Sequence, residues 1–323
     1  MYNQQKLFVS SHAPYWHNGS SVTAKSYHLM LAALPAVVMG ICQYGIPAVG
    51  VFAFSISCAM IWELLMNLAM RRPVSIGDGN AAVIGLILAM LLPATTPWWT
   101  VVVGTFVAIV LGKQVFGGIG CNPLNPTLVA LAVMTLSWGA LVDFDVSLVD
   151  YDLGFHMAYP LAAVKYFGAS AAANYSSQGF LLGQQSGGIG STFGLGLIIG
   201  GVYLILRGHI RWEISLSFLA GVFVTAFLFS ISDPNQYAGP IFHLLTGYTL
   251  IGAFFLATED SSSPVNFVPM LIYGACAGIL TVLIRNIGFF VDGVVFALLM
   301  MNVANPIIDK IRPKAMGKGL ENA

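Results

Sequence analysis

The chain has 323 residues, 57% of them hydrophobic and only 8% charged, with 13 Lys+Arg against 13 Asp+Glu. A water-soluble domain carries about 25% charged residues to keep its surface wet, so this composition excludes a soluble enzyme and makes lipid the main solvent. The zero net charge excludes a nucleic-acid surface, which needs a basic patch to displace counterions.

Residues 1–26 are polar and hold no apolar stretch of the kind a cleaved leader needs. Beyond them, apolar runs bounded by Pro, Gly or charge recur to the far end. The expected fold is an all-α polytopic membrane protein of about ten transmembrane helices. In a first half, residues 27–142, the runs predict helices at Tyr27–Gln43, Ile46–Met70, Asn80–Leu92, Trp98–Lys113 and Pro126–Val142. The third is short for a full crossing. A long loop, residues 143–191, mixes polar, aromatic and glycine residues; loops of that length are functional or disordered. In a second half, residues 192–308, the predicted helices are Thr192–Arg207, Glu213–Ile231, Pro240–Ala257, Phe267–Arg285 and Phe290–Ile308. Residues 309–323 form a basic tail.

Lys and Arg stay cytoplasmic near helix ends. With ten crossings, Lys6, Lys25, Arg71, Arg72, Lys113, Arg207, Arg211, Lys310, Arg312, Lys314 and Lys318 all fall on one side. Asp143, Asp145, Asp150, Asp152 and Asp233 fall on the other, with Lys165 and Arg285 as exceptions. Both termini are therefore expected in the cytoplasm, with the long loop outside a cell inner membrane.

A weak internal repeat runs through the two halves. NAAVIGLILAMLLP at 80–93 parallels GYTLIGAFFLA at 247–257, and PTLVALAVM at 126–134 parallels DGVVFALLMMN at 292–302. Trp98–Lys113 and Phe267–Arg285 are both glycine-bearing and end in one cation. An odd number of helices per half makes the repeat inverted, the transporter architecture with a site near the midplane.

The most distinctive motif is KQVFGGIGCNPLNP at 113–126. Its glycines free the backbone, its prolines remove donors, and Asn122 and Asn125 offer amides to unpaired groups. Unwound backbone at membrane depth must be buried in protein or line a cavity, so the motif reads as a site-forming break. Glu63, His243, Asp292, Lys113 and Arg285 are the intramembrane ionisable groups. Each needs a partner or a pathway, and they are the candidates for an ion path. SGGIGST at 186–192, with Thr192, reads either as a phosphate cradle at a helix start or as a plain flexible cap. The four cysteines, Cys42, Cys58, Cys121 and Cys276, have no metal-site spacing, and no metal is expected.

The order SVTAKSYHLMLAALPAVVMG, RRPVSIGDGNAAVIGLILAMLLPATTPWW, GKQVFGGIGCNPLNPTLVA and HLLTGYTLIGAFFLATEDSSSPV resembles the D subunit of Rnf complexes and the homologous B subunit of sodium-pumping NADH:quinone reductase. The resemblance implies a translocase subunit, not catalytic alone, in a complex coupling ferredoxin–NAD electron transfer to Na⁺ or H⁺ movement. It implies two inverted five-helix repeats similar to urea transporters, with other Rnf-type membrane, Fe–S and flavin subunits as partners. Family members carry FMN as a phosphoester on a threonine in S-x-A-T-P-L. The matching stretch here is His156-Met157-Ala158-Tyr159-Pro160-Leu161. Ala158 and Pro160 agree, but Tyr159 replaces the acceptor, so FMN is expected to be non-covalent or absent. Tyr159, Ala158, Pro160, Asn122, Asn125 and Thr192 are the candidate cofactor contacts. The alternative from a different class is a stand-alone solute channel or carrier of the urea-transporter type.

Overall fold

No water reaches the bilayer core to satisfy backbone N–H and C=O groups, so apolar runs of this kind must pair their backbone internally. A computed structural model describes residues 21–311, and every regular element within them is helical. The residues before Ser21, and Arg312, Lys314 and Lys318 of the predicted basic tail, lie outside the described residues.

In the first half, α1 (Val22–Tyr44) starts where the Ser21 side chain accepts from the Ala24 amide, and α2 (Ile46–Ala69) follows after Gly45. The helix α3 (Asn80–Leu91) is short and buried almost all round. Next come α4 (Trp98–Phe106), continuing as a π-helix over Val107–Gln114, and α5 (Pro126–Ser137). The long loop is ordered. After a short α6 (Gly139–Val142), it folds into α7 (Phe144–Ser147), α8 (Pro160–Phe167) and α9 (Ser177–Leu181), and buries Phe144, Leu148, Phe180 and Ile189. The second half comprises α10 (Gly194–Leu206), α11 (Trp212–Ser232), α12 (Pro240–Leu245), α13 (Thr249–Ile251) with a π-helix over Gly252–Leu256, α14 (Phe267–Asn286) and α15 (Val294–Ile308).

Among the described residues, α1, α2, α11 and α14 are long and apolar enough to cross a bilayer, and shorter apolar helices pack between them. Their outward faces carry Leu31, Val38, Leu65, Phe227 and Leu228. This is a multi-pass membrane protein. The packing of α2 on α3 and α4 is matched by that of α11 on α12 and α14, while α1 meets α10 and α5 meets α15. Small residues allow close crossings: a Cβ at Gly278 would run into the Phe218 carbonyl oxygen, and one at Gly200 into that of Ala32, so α11 with α14 and α1 with α10 approach backbone to backbone.

Five predicted helices differ from the observed ones. The first, expected from Tyr27, already starts at Val22, where Ser21 caps it. The eighth, expected unbroken over Pro240–Ala257, breaks between α12 and α13. Gly247 there has φ +66°, and a Cβ on it would meet Asp292 Oδ2 at 2.4 Å; only glycine fits both demands. The tenth, expected from Phe290, starts at Val294 because the Asp292 carboxylate accepts the Val294 amide at 3.1 Å. Asp292 therefore precedes the helix instead of lying inside it. The fifth stops at Ser137, where Trp138 turns out of the helix and packs edge-on against Trp99. The sixth starts at Gly194, so Thr192 is not its cap. SGGIGST instead closes the end of α3: Ile189 N donates to the Leu92 carbonyl at 3.0 Å and Gly190 N to Met90 at 2.9 Å. Those amides satisfy helix-end carbonyls and are not free to cradle a phosphate.

Candidate functional site

Two buried ion pairs mark the interior. In the first half, Lys113 at the end of the α4 π-helix donates to both Glu63 oxygens, at 2.8 and 3.0 Å. The side chains are 1% and 0% exposed. Ser75 Oγ adds a third donor to Glu63 at 2.8 Å, and Asn67 Nδ2 holds Ser75 in turn at 2.9 Å. This is a closed, fully hydrogen-bonded cluster. Lys113 does not reach out to the lipid interface; it is the internal partner of Glu63.

In the second half, Arg285 at the end of α14 donates through Nη2 to Asp292 at 2.9 Å and through Nε at 3.3 Å. The Tyr248 and Val294 amides also donate to Asp292, at 2.7 and 3.1 Å. Arg285 Nη1 further donates to the His243 carbonyl at 2.9 Å, on the last turn of α12. The pair thus ties together both sides of the α12–α13 break. The carboxylate that sequence reasoning singled out is positioned by two backbone amides as well as by Arg285.

Each pair borders a cavity. The first cavity, about 240 Å³, is lined by Lys113, Asn122, Asn125 and Glu259, with Lys25 and Asp260 at its rim. Asn125 caps α5 by accepting the Thr127 amide at 3.0 Å, and its Nδ2 donates across the halves to the Leu256 carbonyl at 3.0 Å. Asn122 Nδ2 donates to Glu259 at 3.1 Å. The second cavity, about 300 Å³, is lined by Asp292, Tyr159, Tyr248, Phe144, Asp143 and Asp145 among others. Pro126 and Thr127 at the start of α5 line the first cavity, and Thr135 near its end lines the second. The two cavities therefore open at opposite ends of α5.

The structure brings the predicted residues into two groups. Lys113, Asn122 and Asn125 line the first cavity, with Glu63 behind Lys113, and Tyr159 and Asp292 line the second, with Arg285 behind Asp292. Pro160 begins α8 directly after Tyr159, and the Ala158 carbonyl accepts from the Tyr175 hydroxyl at 2.8 Å. Thr192 belongs to neither group; its hydroxyl faces Gln43 at 3.4 Å. Sequence reasoning missed Ser75, Tyr248 and Glu259. Glu259 lies in TEDSSSP at a helix end, a position that reads as an ordinary polar turn, and Tyr248 takes part through its backbone, which no residue pattern announces.

The surroundings of Tyr159 do not fit a flavin phosphoester. Its side chain is 5% exposed, packs on Phe144 at 5.0 Å between ring centres, and its hydroxyl is buried with no hydrogen-bond partner among the described residues. Burial, then the nearby Asp292 carboxylate, push the phenol well above the usual tyrosine range. Asp143, Asp145 and Asp292 line the same cavity, and three carboxylates repel a phosphate. The one close cation among the described residues, Arg285, is already bound to Asp292.

Known proteins resemble this sequence along most of its length. A family profile described as the NQR2, RnfD, RnfE family matches residues 9–317. The D subunit of the proton-translocating ferredoxin:NAD(+) oxidoreductase complex of Clostridium ljungdahlii is 33% identical, over 95% of this chain and 95% of its own. The D subunit of the Na(+)-translocating ferredoxin:NAD(+) oxidoreductase complex of Acetobacterium woodii is 32% identical, over 95% and 94%. The D subunit of the ion-translocating oxidoreductase complex of Vibrio atlanticus is 33% identical, over 96% and 99%.

Proposed function

Because the chain belongs to the NQR2, RnfD, RnfE family, we propose that it is the D-type membrane subunit of a complex that couples electron transfer between ferredoxin and NAD to Na⁺ or H⁺ translocation. The carrying observation is similarity to named complex subunits along almost the whole length of both chains. Nothing in these matches favours a stand-alone solute channel. Other membrane, Fe–S and flavin subunits are its partners, and it is not catalytic alone.

The two halves act as inverted repeats of five crossings each, both termini cytoplasmic, in the cell inner membrane. The matched packing of α2 with α3 and α4, and of α11 with α12 and α14, supports this arrangement, as does the placing of cavities at opposite ends of α5. Lys25 and Glu259 then face the cytoplasm, and Asp143 and Asp145 the outside. Labelling of single cysteines, in a background without the native four, tests the topology; a site near Asp150 that reacts only from the inner face would reverse it.

The ion route runs through the interface of the halves and passes the Arg285–Asp292 pair, whose carboxylate lines the outer cavity together with Asp143 and Asp145. Its carboxylate already receives four donors, so an ion engages it only when Arg285 swings aside. Flavin at residue 159 is non-covalent or absent, and intact mass of the purified subunit should equal the bare chain. The deciding experiment is ion uptake into proteoliposomes driven by reduced ferredoxin and NAD. Complexes lacking this subunit should move no ion. Full uptake without it would end the proposal, and Na⁺ dependence of the uptake would separate Na⁺ from H⁺ as the coupling ion.

A further inference from the structure

A third cavity, about 40 Å³, lies between α8, α12 and α14, lined by Lys165, Gln236, Tyr237, His243, Arg285 and Asn286 together with apolar side chains. Two cations line it and, among the described residues, no carboxylate does. Lys165 donates to the Gly288 and Phe290 carbonyls at 2.7 and 2.6 Å and has no acidic partner among the described residues. Burial lowers its pKa, as expected of a cation held near protein without a counter-charge. His243 is 2% exposed, and both its ring nitrogens are buried without a hydrogen-bond partner among the described residues. The Asn286 Nδ2 donor is likewise buried and unpaired. Unpaired buried donors are costly, and native proteins rarely leave them so.

We propose that this cavity binds one small monovalent anion of halide size. Such an ion accepts from the Asn286 amide and from a His243 ring N–H, and it balances the Lys165 charge. A cation would meet the uncompensated Lys165 charge there, Arg285 being paired with Asp292. About 10–15 Å³ of such volume holds one water, so the space admits a halide and excludes an organic phosphate. Bound there, the ion ties α8, which begins directly after Tyr159, to α12 and to α14, the helix that carries Arg285.

The test is thermal unfolding of the detergent-purified protein in potassium gluconate at constant ionic strength, with chloride or bromide replacing gluconate stepwise. Halide should raise the midpoint and saturate. Lys165→Gln and Asn286→Leu should each weaken the halide response roughly tenfold, the loss expected for one charge-assisted hydrogen bond. His243→Phe, which fills the space, should abolish it, while Lys25→Gln, at a different cavity, should leave it unchanged. No halide effect, or the same effect in every variant, would overturn the site. Should the variants fold poorly, bromide-soaked wild-type crystals decide: an anomalous peak between His243 and Asn286 supports the site, and its absence refutes it.

Discussion

The two halves solve one problem, a cation at a helix end inside the membrane, in different ways. Lys113 reaches a carboxylate on another helix, fifty residues away in sequence, and the Glu63–Lys113 pair closes on side chains alone. Arg285 meets a carboxylate seven residues on, and that pair is knitted into backbone: the His243 carbonyl, the Tyr248 amide and the Val294 amide. The first pair clamps α2 to α4. The second organises a broken helix and faces an open cavity. A side-chain clamp can be replaced by other side chains; a pair that holds unpaired backbone cannot.

The largest effect should come from breaking the clamp. Glu63→Ala leaves Lys113 charged, buried and unpartnered, a loss of about 3–5 kcal/mol. Yield of the assembled protein and its thermal midpoint in detergent measure this. The double change Glu63→Met with Lys113→Leu should recover most of that stability, because two buried charges and their desolvation disappear together. The same double replacement at Arg285 and Asp292 should not recover, since the Tyr248 and Val294 amides would lose their acceptor. Equal recovery at the two sites would erase the difference between the pairs.

Gly247→Ala probes the second pair without touching its charges. The added Cβ would lie 2.4 Å from Asp292 Oδ2 and 3.0 Å from Arg285 Nη2, on a backbone with φ +66°. The left-handed backbone alone costs about 1–2 kcal/mol, and the contact adds to it. A contrasting probe in the first half, Gly77→Ala, meets open space and should change the midpoint little.

Asp292→Asn is milder still. The amide oxygen can go on accepting from backbone, so the protein should assemble with a loss of about 1–3 kcal/mol. Ion uptake per electron transferred should fall if Asp292 lies on the route. An unchanged ratio in a well-assembled mutant would assign Asp292 to holding the helix break and nothing more.

What the sequence disclosed follows from the same physics. Hydropathy runs located the helices, and the rarity of charge in lipid pointed to Glu63, Lys113, Arg285 and Asp292 before any pairing was known. The pairing itself was only half legible. Arg285 and Asp292 are close in sequence, whereas Glu63 and Lys113 meet through the packing of α2 against the α4 π-helix. The break at Gly247 was hidden because GYTLIGAFFLA reads as continuous apolar helix; the interruption is imposed by Asp292 from a distant segment. Asn125 was seen as a break residue, but its bond to the Leu256 carbonyl depends on the second half being folded against the first. The glycines of SGGIGST were visible, while their task of capping α3 is a tertiary fact.

The smallest expected effect lies at the rim, where charge is solvated and not clamped. His209, between α10 and α11, stacks on His28 at 4.5 Å between ring centres. Burial lowers its pKa from 6.5, with help from His28, Lys25 and Arg207, against an opposing pull from Asp260. The folded protein therefore binds a proton at His209 less readily than the unfolded chain does. Stability contributed by the neutral ring is present above about pH 6.5 and is lost as pH falls from there through the lowered folded value. The thermal midpoint should drop modestly on acidification across that window, and His209→Gln should flatten the profile without changing the midpoint at pH 8. If His209→Gln left the acid-side slope intact, the sensitivity would have to come from another group, and the contrast between a titrating rim and a clamped interior would fail at this end of the molecule.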